Sequence, residues 1–262
     1  LLTGFYAPFS HRVIDCKNCL LQPKEYADIL KLIAKWSEKY KISAYNEKTG
    51  KGLLRHIYIR KGFSTGEIMV CLVANGRDVP FTDELIEELK SDIDGLKSVI
   101  LNVNTKNTNV VLGEECITLY GSDYITDKLC GLKFNISPLS FYQVNHDGAE
   151  ILYNKAKEYA GLTGKETLID LYCGTGTIGL TMARDAKQLV GVEIVPQAVE
   201  NAKRNAELNG IDNARFICAD ASKAAEILFE DGIKPDVVIL DPPRKGCDEA
   251  LLETVSKMAP ER

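Results

Sequence analysis

A glycine-rich turn between an apolar run and a helical pattern constrains the fold of this chain more than any other stretch. The run 168–171 leads into Gly174, Gly176 and Gly179, and the helical pattern becomes clear at Leu180. Glycine tolerates a positive φ and lets a ligand approach the backbone, and a helix start offers free N–H groups. The turn therefore predicts a ligand site between a strand and a helix.

An acidic residue beside the turn favours one ligand class. The glycines satisfy the G-x-G-x-x-G dinucleotide fingerprint, but Asp170 stands four residues before the first of them. A carboxylate there repels a pyrophosphate and suits the ammonium group of an amino acid. We therefore predict S-adenosylmethionine as the ligand ahead of NAD, and a turn that serves packing alone is the third interpretation.

The composition is that of an ordinary globular protein. The 262 residues are 45% hydrophobic and 26% charged, which suits a large core and two domains. No apolar run approaches the ~18 residues of a membrane span, and no signal peptide is visible. Eight irregularly spaced cysteines without an export signal indicate reduced thiols in a cytoplasmic protein. The net charge of −5 means that any RNA contact depends on local patches.

Residues 1–137 have the pattern of an α+β domain. Helical patterns cover 23–40 and 82–93, and Thr82 is the predicted N-cap of the second. Alternating strand patterns, for which we expect antiparallel pairing, cover 53–60, 67–74, 99–103, 116–120 and 132–136. Basic residues near the first two strands are typical either of a solvated face or of an RNA contact. The RNA candidates are Arg55, His56 and Arg60.

Residues 138–262 have the pattern of a doubly wound α/β domain. Four apolar runs, each followed by a helical pattern, predict a parallel sheet: 167–171, 189–193, 215–218 and 236–240. Ligands of such sheets bind beyond the carboxyl ends of the strands. Glu193 follows the second strand and suits ribose hydroxyls, and Asp220 follows the third and suits the adenine amino group. Gln143 lies just before a helix that Asn145 is expected to cap.

A stiff loop follows the fourth strand. Asp241 precedes two prolines, which fix the backbone and remove two donors, and then Arg244 and Lys245. The geometry suits a carboxylate that holds the edge of a planar base, with the two cations facing phosphates. An NAD-dependent oxidoreductase, the runner-up enzyme class, has no evident use for this loop.

Three motifs in this order resemble the RNA uracil-C5 methyltransferases, which form 5-methyluridine. They are the glycine turn, the run 140–145 and the run 241–246, and the resemblance covers nearly the whole chain. It implies a class I, Rossmann-like methyltransferase domain preceded by an RNA-facing α+β domain. It also places cofactor-site positions on Gln143, Asp170, Tyr172, Gly174, Gly176, Thr177, Glu193, Asp220 and Asp241, with Asp241 touching the target uracil.

The resemblance further implies how carbon 5 is methylated. A cysteine thiolate adds to carbon 6, the resulting enolate takes the sulfonium methyl group, and a base removes the carbon-5 proton. The family positions of that cysteine and base lie beyond Arg262, so we expect an inactive fragment. Cys173 and Cys247 do not match the family nucleophile. An OB-like RNA-binding domain is expected before residue 1.

The first cysteines have two interpretations. Cys16 and Cys19 form a lone C-x-x-C, typical of half a metal site or of two unremarkable thiols. The resemblance makes Cys19 the last ligand of a [4Fe–4S] cluster in the rRNA-modifying branch, in the full-length protein only, and gives Cys16 no role.

The resemblance also favours 23S rRNA as substrate, with tRNA as an alternative. A non-catalytic RNA-binding module is the remaining hypothesis, and no membrane or obligate protein partner is indicated.

Overall fold

The computed structural model describes residues 2–16 and 19–262, and the chain folds into two compact units. The first is Leu1–Ile125 and the second is Thr126–Arg262. This boundary precedes the predicted one at 137/138, because the hairpin over residues 125–136, apart from Ile125 itself, is grouped with the second unit. No helix among the described residues is both long and apolar enough to cross a bilayer.

The first unit is an α+β fold built on a mixed sheet. Its elements, in chain order, are β1 (Gly4–Tyr6), β2 (Val13–Asp15), α1 (Lys24–Lys39), β3 (Leu54–Lys61), β4 (Ile68–Ala74), α2 (Thr82–Asp92), β5 (Leu96–Val103) and β6 (Glu115–Gly121). Strands β1 and β2 form an antiparallel hairpin that the sequence pattern did not predict. The main sheet has the order β3-β4-β5-β6, and β4 pairs with β5 in parallel because α2 connects them as a crossover. Our expectation of antiparallel pairing holds for β3–β4 and β5–β6 and is wrong for β4–β5.

The core of the first unit lies between α1 and the sheet. Ile29, Ile33 and Trp36 are spaced at helical intervals and are fully or almost fully buried. The indole Nε1 of Trp36 donates to the backbone oxygen of Phe81 over 2.6 Å. Phe81, with a left-handed φ of 59°, occupies the N-cap of α2, so the prediction of Thr82 as the cap is wrong. Thr82 is instead the first helical residue, and the α2 start makes no side-chain capping bond.

The second unit combines a hairpin with a parallel α/β sheet. Its elements are β7 (Ile125–Leu129), β8 (Leu132–Ile136), α3 (His146–Ala160), β9 (Thr167–Leu171), α4 (Thr177–Ala183), β10 (Gln188–Glu193), α5 (Pro196–Leu208), β11 (Ala214–Cys218), α6 (Ala221–Glu230), β12 (Val237–Leu240) and α7 (Glu249–Met258). The sheet order is β11-β10-β9-β12, with every described pairing parallel. The four predicted strands are therefore confirmed.

Topology brings the predicted site residues to one edge of this sheet. Apolar side chains of β9 and β10, such as Ile169 and Val190, pack against α6 and α7 and bury the strands. Strand β9 lies between β10 and β12, so the order of the strands reverses beside it. In open α/β sheets this switch point opens a crevice at the carboxyl ends of the strands.

Candidate active site

The turn from β9 to α4 has the backbone that a close ligand contact requires. Tyr172, Gly174 and Gly176 all have positive φ, at 68°, 56° and 82°. Tyr172 is the exception among them, because a bulky residue with a positive φ is strained, and such strain is concentrated at functional sites. Helix α4 begins at Thr177, earlier than the start predicted at Leu180, so Gly179 lies inside the helix.

Asp170 lies beneath this turn with half of its carboxylate unsatisfied. The side chain is 1% exposed, and Oδ2 accepts a hydrogen bond from the Gly179 N–H over 2.9 Å. Oδ1 is buried and has no hydrogen-bond partner among the described residues. Burial raises the pKa of Asp170 to about 7, a rise that the Gly179 N–H opposes and that Asp241 and Glu193 increase. A cationic group placed beside Oδ1 would satisfy that oxygen and favour the charged form.

Gly179 is required by the closeness of α4 to Asp170. A Cβ on residue 179 would lie 2.8 Å from Asp170 Oδ2 and 2.9 Å from Leu189 Cδ1. The absence of a side chain therefore lets the first turn of the helix approach the strand and donate its N–H to the carboxylate. The third glycine of the fingerprint thus serves helix–strand packing.

Glu193 joins the second strand end to the glycine turn. Its Oε2 accepts from the Gly174 N–H over 3.0 Å, and its Oε1 accepts from the Val195 N–H over 2.9 Å. These bonds fix the carboxylate at the mouth of the crevice. Glu193 and Asp241 each raise the pKa of Asp170, because their negative charges disfavour another negative charge nearby. Such a site favours a cationic ligand and disfavours a diphosphate.

The remaining strand ends carry Asp220 and Asp241. Asp220 is the N-cap of α6, where its Oδ1 accepts from the N–H groups of Ser222 and Lys223 over 3.0 and 3.4 Å. Asp241 follows β12 directly and is exposed, as are Arg244 and Lys245. The two cations are therefore accessible to a phosphate.

Helix α3 contributes residues on another side of the glycine turn. Asn145 caps α3 as predicted, since its Oδ1 accepts from the Gly148 N–H over 3.0 Å, and Gln143 is half-buried in the preceding segment. Tyr153, which sequence analysis missed, is 3% exposed, and its hydroxyl lies 3.3 Å from the hydroxyl of Thr177. The only sequence signal for Tyr153 was its place on the buried stripe of an amphipathic helix.

The cysteine inside the glycine turn is unsuited to act as a nucleophile. Cys173 is buried, and burial raises the pKa of its thiol, with Asp170 and Glu193 adding to the rise. The thiolate form is therefore suppressed. Among the described residues, no group of three or more His, Cys, Asp or Glu side chains is arranged to hold a metal ion, and Cys19 has no such companions. The structure thus offers no four-ligand cluster site in the part of the chain that it describes.

The predicted RNA candidates of the first unit differ in accessibility. The side chain of Arg55 is 0% exposed, and its Nη1 donates to the backbone oxygens of Asn104 and Lys106 over 2.9 and 2.8 Å. The prediction that Arg55 contacts RNA from the surface is therefore corrected, because this guanidinium anchors the loop after β5. His56 and Arg60 are half-buried on β3, and the Arg60 guanidinium lies 5.1 Å from the ring centre of Tyr58.

Comparisons with known proteins agree with this geometry. Residues 162–258 match a family model described as a methyltransferase domain. A protein of Clostridium tetani named as an uncharacterized RNA methyltransferase is 51% identical over 99% of this chain and 56% of its own length. A similarly named protein of Caldanaerobacter subterraneus is 46% identical over 100% of this chain and 58% of its own length. The chain thus spans somewhat more than half of the length of the relatives that it matches.

A solved structure resembles both units of the chain. The tRNA (uracil-54, C5)-methyltransferase of Pyrococcus abyssi, in complex with S-adenosyl-L-homocysteine, is 28% identical, with a TM-score of 0.79. The match covers 95% of this chain and 59% of that one. The α/β unit of this protein therefore has the Rossmann-like fold of S-adenosylmethionine-dependent methyltransferases, and the chain is related to proteins named RNA methyltransferases.

Proposed function

We propose that this chain is the donor-binding part of an S-adenosylmethionine-dependent enzyme that methylates carbon 5 of a uridine in RNA. Large-subunit (23S) ribosomal RNA is the proposed substrate, and tRNA is the alternative. One observation carries the donor assignment. Asp170 buries a carboxylate oxygen that lacks a partner among the described residues, beneath a glycine turn at the switch point of the sheet. The ammonium of the donor's methionine end supplies the missing charge and hydrogen bond.

The strand ends give each part of the donor a partner. We assign the ammonium to Asp170, the ribose hydroxyls to Glu193 and the adenine amino group to Asp220, each at a carboxyl end of the parallel sheet. The wall around the donor is assigned to Gln143, Tyr172, Gly174, Gly176 and Thr177. The excess of carboxylates also suits a sulfonium cation, whose bound methyl group is the electrophile that the donor supplies.

The stiff loop after β12 is proposed to hold the substrate. Asp241 accepts hydrogen bonds from the edge of the uracil, and Arg244 and Lys245 neutralise neighbouring phosphates. All three side chains are exposed, so RNA can reach them. Removing the carbon-5 proton requires a base, and attack at carbon 6 requires a thiolate. Cys173 is unsuited to that attack because it is buried, so we do not propose it as the nucleophile.

Two other functions are less well supported. An NAD-dependent oxidoreductase would bring a diphosphate next to Asp170 and Glu193, which electrostatics disfavours. A non-catalytic RNA-binding module leaves the unsatisfied Asp170 unexplained. The [4Fe–4S] cluster with Cys19 as a ligand, and a cytoplasmic location, remain predictions from the sequence.

The proposed activity is tested with the protein of the complete reading frame. It is incubated with methyl-labelled donor and with ribosomal RNA or tRNA transcripts, and the nucleosides are identified by mass spectrometry. We expect label in 5-methyluridine, from ribosomal RNA rather than tRNA. Label in any other nucleoside would contradict the uridine assignment. Mass mapping of ribosomal RNA from cells that lack the gene identifies the site.

A further inference from the structure

A groove in the first unit is unexplained by the donor site. It has a volume of about 960 Å³ and is bordered by the β1–β2 hairpin, α1 and β3. This volume is at the upper end of the range for ligand sites in proteins. Every residue that lines the groove belongs to the first unit. The groove is therefore a separate surface from the crevice at the ends of β9–β12.

Several aromatic rings line this groove. The rings that face it include Tyr6, Phe9, Tyr26, Tyr58, His11 and His56. Phe9 is fully exposed, at 108%, and has a left-handed φ of 56° between β1 and β2. Leu2, Phe5 and Tyr6 line the same groove and are also exposed. A patch of exposed apolar side chains, unlike a single one, is typical of a binding surface.

Tyr6 is held in the groove by the two imidazoles. Its ring meets His11 edge to face at 5.4 Å and His56 at 6.1 Å between ring centres. Tyr6 remains 42% exposed, so part of the ring is available for stacking. Burial and the nearby Arg55 lower the pKa of His56, an effect that Glu47 partly offsets, so the imidazole is neutral at physiological pH. A neutral imidazole offers one donor and one acceptor, as the edge of a nucleobase requires.

The charges at the groove suit a polyanion. The wall carboxylate of Glu47 lies 3.5 Å from the buried guanidinium of Arg55, which neutralises it. Arg12 and Lys48, each next in sequence to a lining residue, are exposed. Aromatic rings that stack bases, together with nearby cations that follow the phosphates, are the usual components of a site for single-stranded nucleic acid.

We infer that this groove binds an unpaired stretch of RNA, with bases stacked on Phe9 and Tyr6 and the backbone along Arg12 and Lys48. The inference rests on the proposed function, since it concerns the RNA that the enzyme modifies. The groove holds nucleotides other than the one that is methylated, because the proposed target contacts are on the loop after β12. Sequence-tolerant stacking also explains the use of aromatic rings here.

The test measures RNA affinity of the chain and of matched variants. Fluorescence anisotropy follows a labelled, unstructured uridine-rich oligonucleotide binding to the parent chain, Phe9→Ala, Tyr6→Ala and Tyr159→Ala. We expect the first two variants to bind about tenfold more weakly, as the loss of one stacked base predicts. Tyr159→Ala removes an exposed ring of α3 in the other unit and should bind as the parent does. Phe9 is fully exposed, so its variant keeps the fold, which the fluorescence of Trp36 verifies.

Three results would overturn the inference. They are no RNA binding by the parent chain, equal binding by all the variants, or protection of the groove from hydrogen exchange by an unstructured peptide but not by the oligonucleotide. Calorimetry with S-adenosylmethionine on the same samples keeps the two proposals apart. If the chain binds the donor but the groove variants bind RNA as tightly as the parent, the RNA-binding role of the groove is refuted. The methyltransferase proposal is then unaffected.

Discussion

Asp170 is a buried acid whose cost to folding depends on pH. Its pKa is raised from 3.8 to about 7 in the folded protein, so between these values the unfolded chain has lost a proton that the folded chain retains. The contribution of Asp170 to the free energy of unfolding is therefore most favourable at low pH. It falls by on the order of a few kcal/mol as the pH rises toward about 7. The ligand-free protein carries this cost at neutral pH because the carboxylate is positioned for a cation.

The first prediction is that Asp170→Asn separates stability from binding. The variant should be more stable than the parent at about pH 8 and similar near pH 4, because only the parent buries a charge at the higher pH. It should bind S-adenosylmethionine at least tenfold more weakly, as expected for a lost charge-assisted bond of about 1.5–3 kcal/mol. Thermal unfolding and calorimetry measure both effects. Asp212→Asn, which changes an exposed acid of the same unit, is the control. Unchanged donor affinity in Asp170→Asn would contradict the ammonium assignment.

The second prediction concerns Gly179→Ala. The added methyl group meets Asp170 Oδ2 and Leu189 at less than 3 Å, so α4 must move away from β9. We expect a loss of about 1–3 kcal/mol in the free energy of unfolding, together with weaker donor binding. Gly210→Ala serves for comparison, because a Cβ there meets nothing within 4 Å and the cost is limited to its φ of +60°. That variant should bind the donor normally. An unchanged free energy of unfolding in Gly179→Ala would contradict the packing role, and an unchanged donor affinity would contradict its link to the donor site.

At the scale of elements, α3 supports the glycine turn through one hydroxyl pair. Tyr153 is buried against the first residue of α4, and its hydroxyl lies 3.3 Å from that of Thr177. It acts as a positioning residue, since it touches the turn rather than the proposed donor. The third prediction is that Tyr153→Phe costs about 1 kcal/mol of stability, the usual net value of one hydrogen bond, and weakens donor binding severalfold.

Helix α3 also provides the control for this variant. Tyr159 lies on the same helix but is 68% exposed, so Tyr159→Phe should change neither stability nor donor affinity. A purely structural role for Tyr153 would lower stability and leave the dissociation constant of the donor unchanged once the protein is folded. Calorimetry well below the unfolding temperature distinguishes these outcomes.

Helices and strands could be predicted from the sequence where the apolar residues follow one clear spacing. The central strands β9 and β10 are largely buried apolar runs, and shorter apolar runs mark β11 and β12, so the strand positions and the edge that carries Glu193 and Asp241 followed directly. The β1–β2 hairpin, with three residues per strand, is too short to give a period. The cap of α2 was missed because Phe81 adopts a left-handed conformation that a sequence rule does not assign to phenylalanine. Arg55 was misjudged because its partners are backbone oxygens about 50 residues away.

At the scale of the whole molecule, the two units have separate cores. The core of the first unit contains Trp36, the only tryptophan in the chain, whereas the donor residues belong to the second unit. A ligand stabilises the unit that it binds in proportion to the logarithm of its concentration above the dissociation constant. Trp36 is thus a reporter for the unit that does not bind the donor.

The fourth prediction is that the donor stabilises the units unequally. At free S-adenosylmethionine concentrations of roughly 100 to 1,000 times the dissociation constant, the hydrogen-exchange protection of β9 and β10 should rise by about 3–4 kcal/mol. The unfolding midpoint followed by Trp36 fluorescence should move little. Equal shifts in both readouts would instead indicate that the two units unfold as one cooperative body.

Calorimetry of the chain at about pH 7 shows whether the acidic crevice binds a zwitterionic methyl donor. Titrations with S-adenosylmethionine and with NAD are compared in two buffers of different ionisation enthalpy. We expect binding of S-adenosylmethionine alone, with release of a fraction of a proton as Asp170 becomes fully charged. Binding of NAD without S-adenosylmethionine would contradict this expectation.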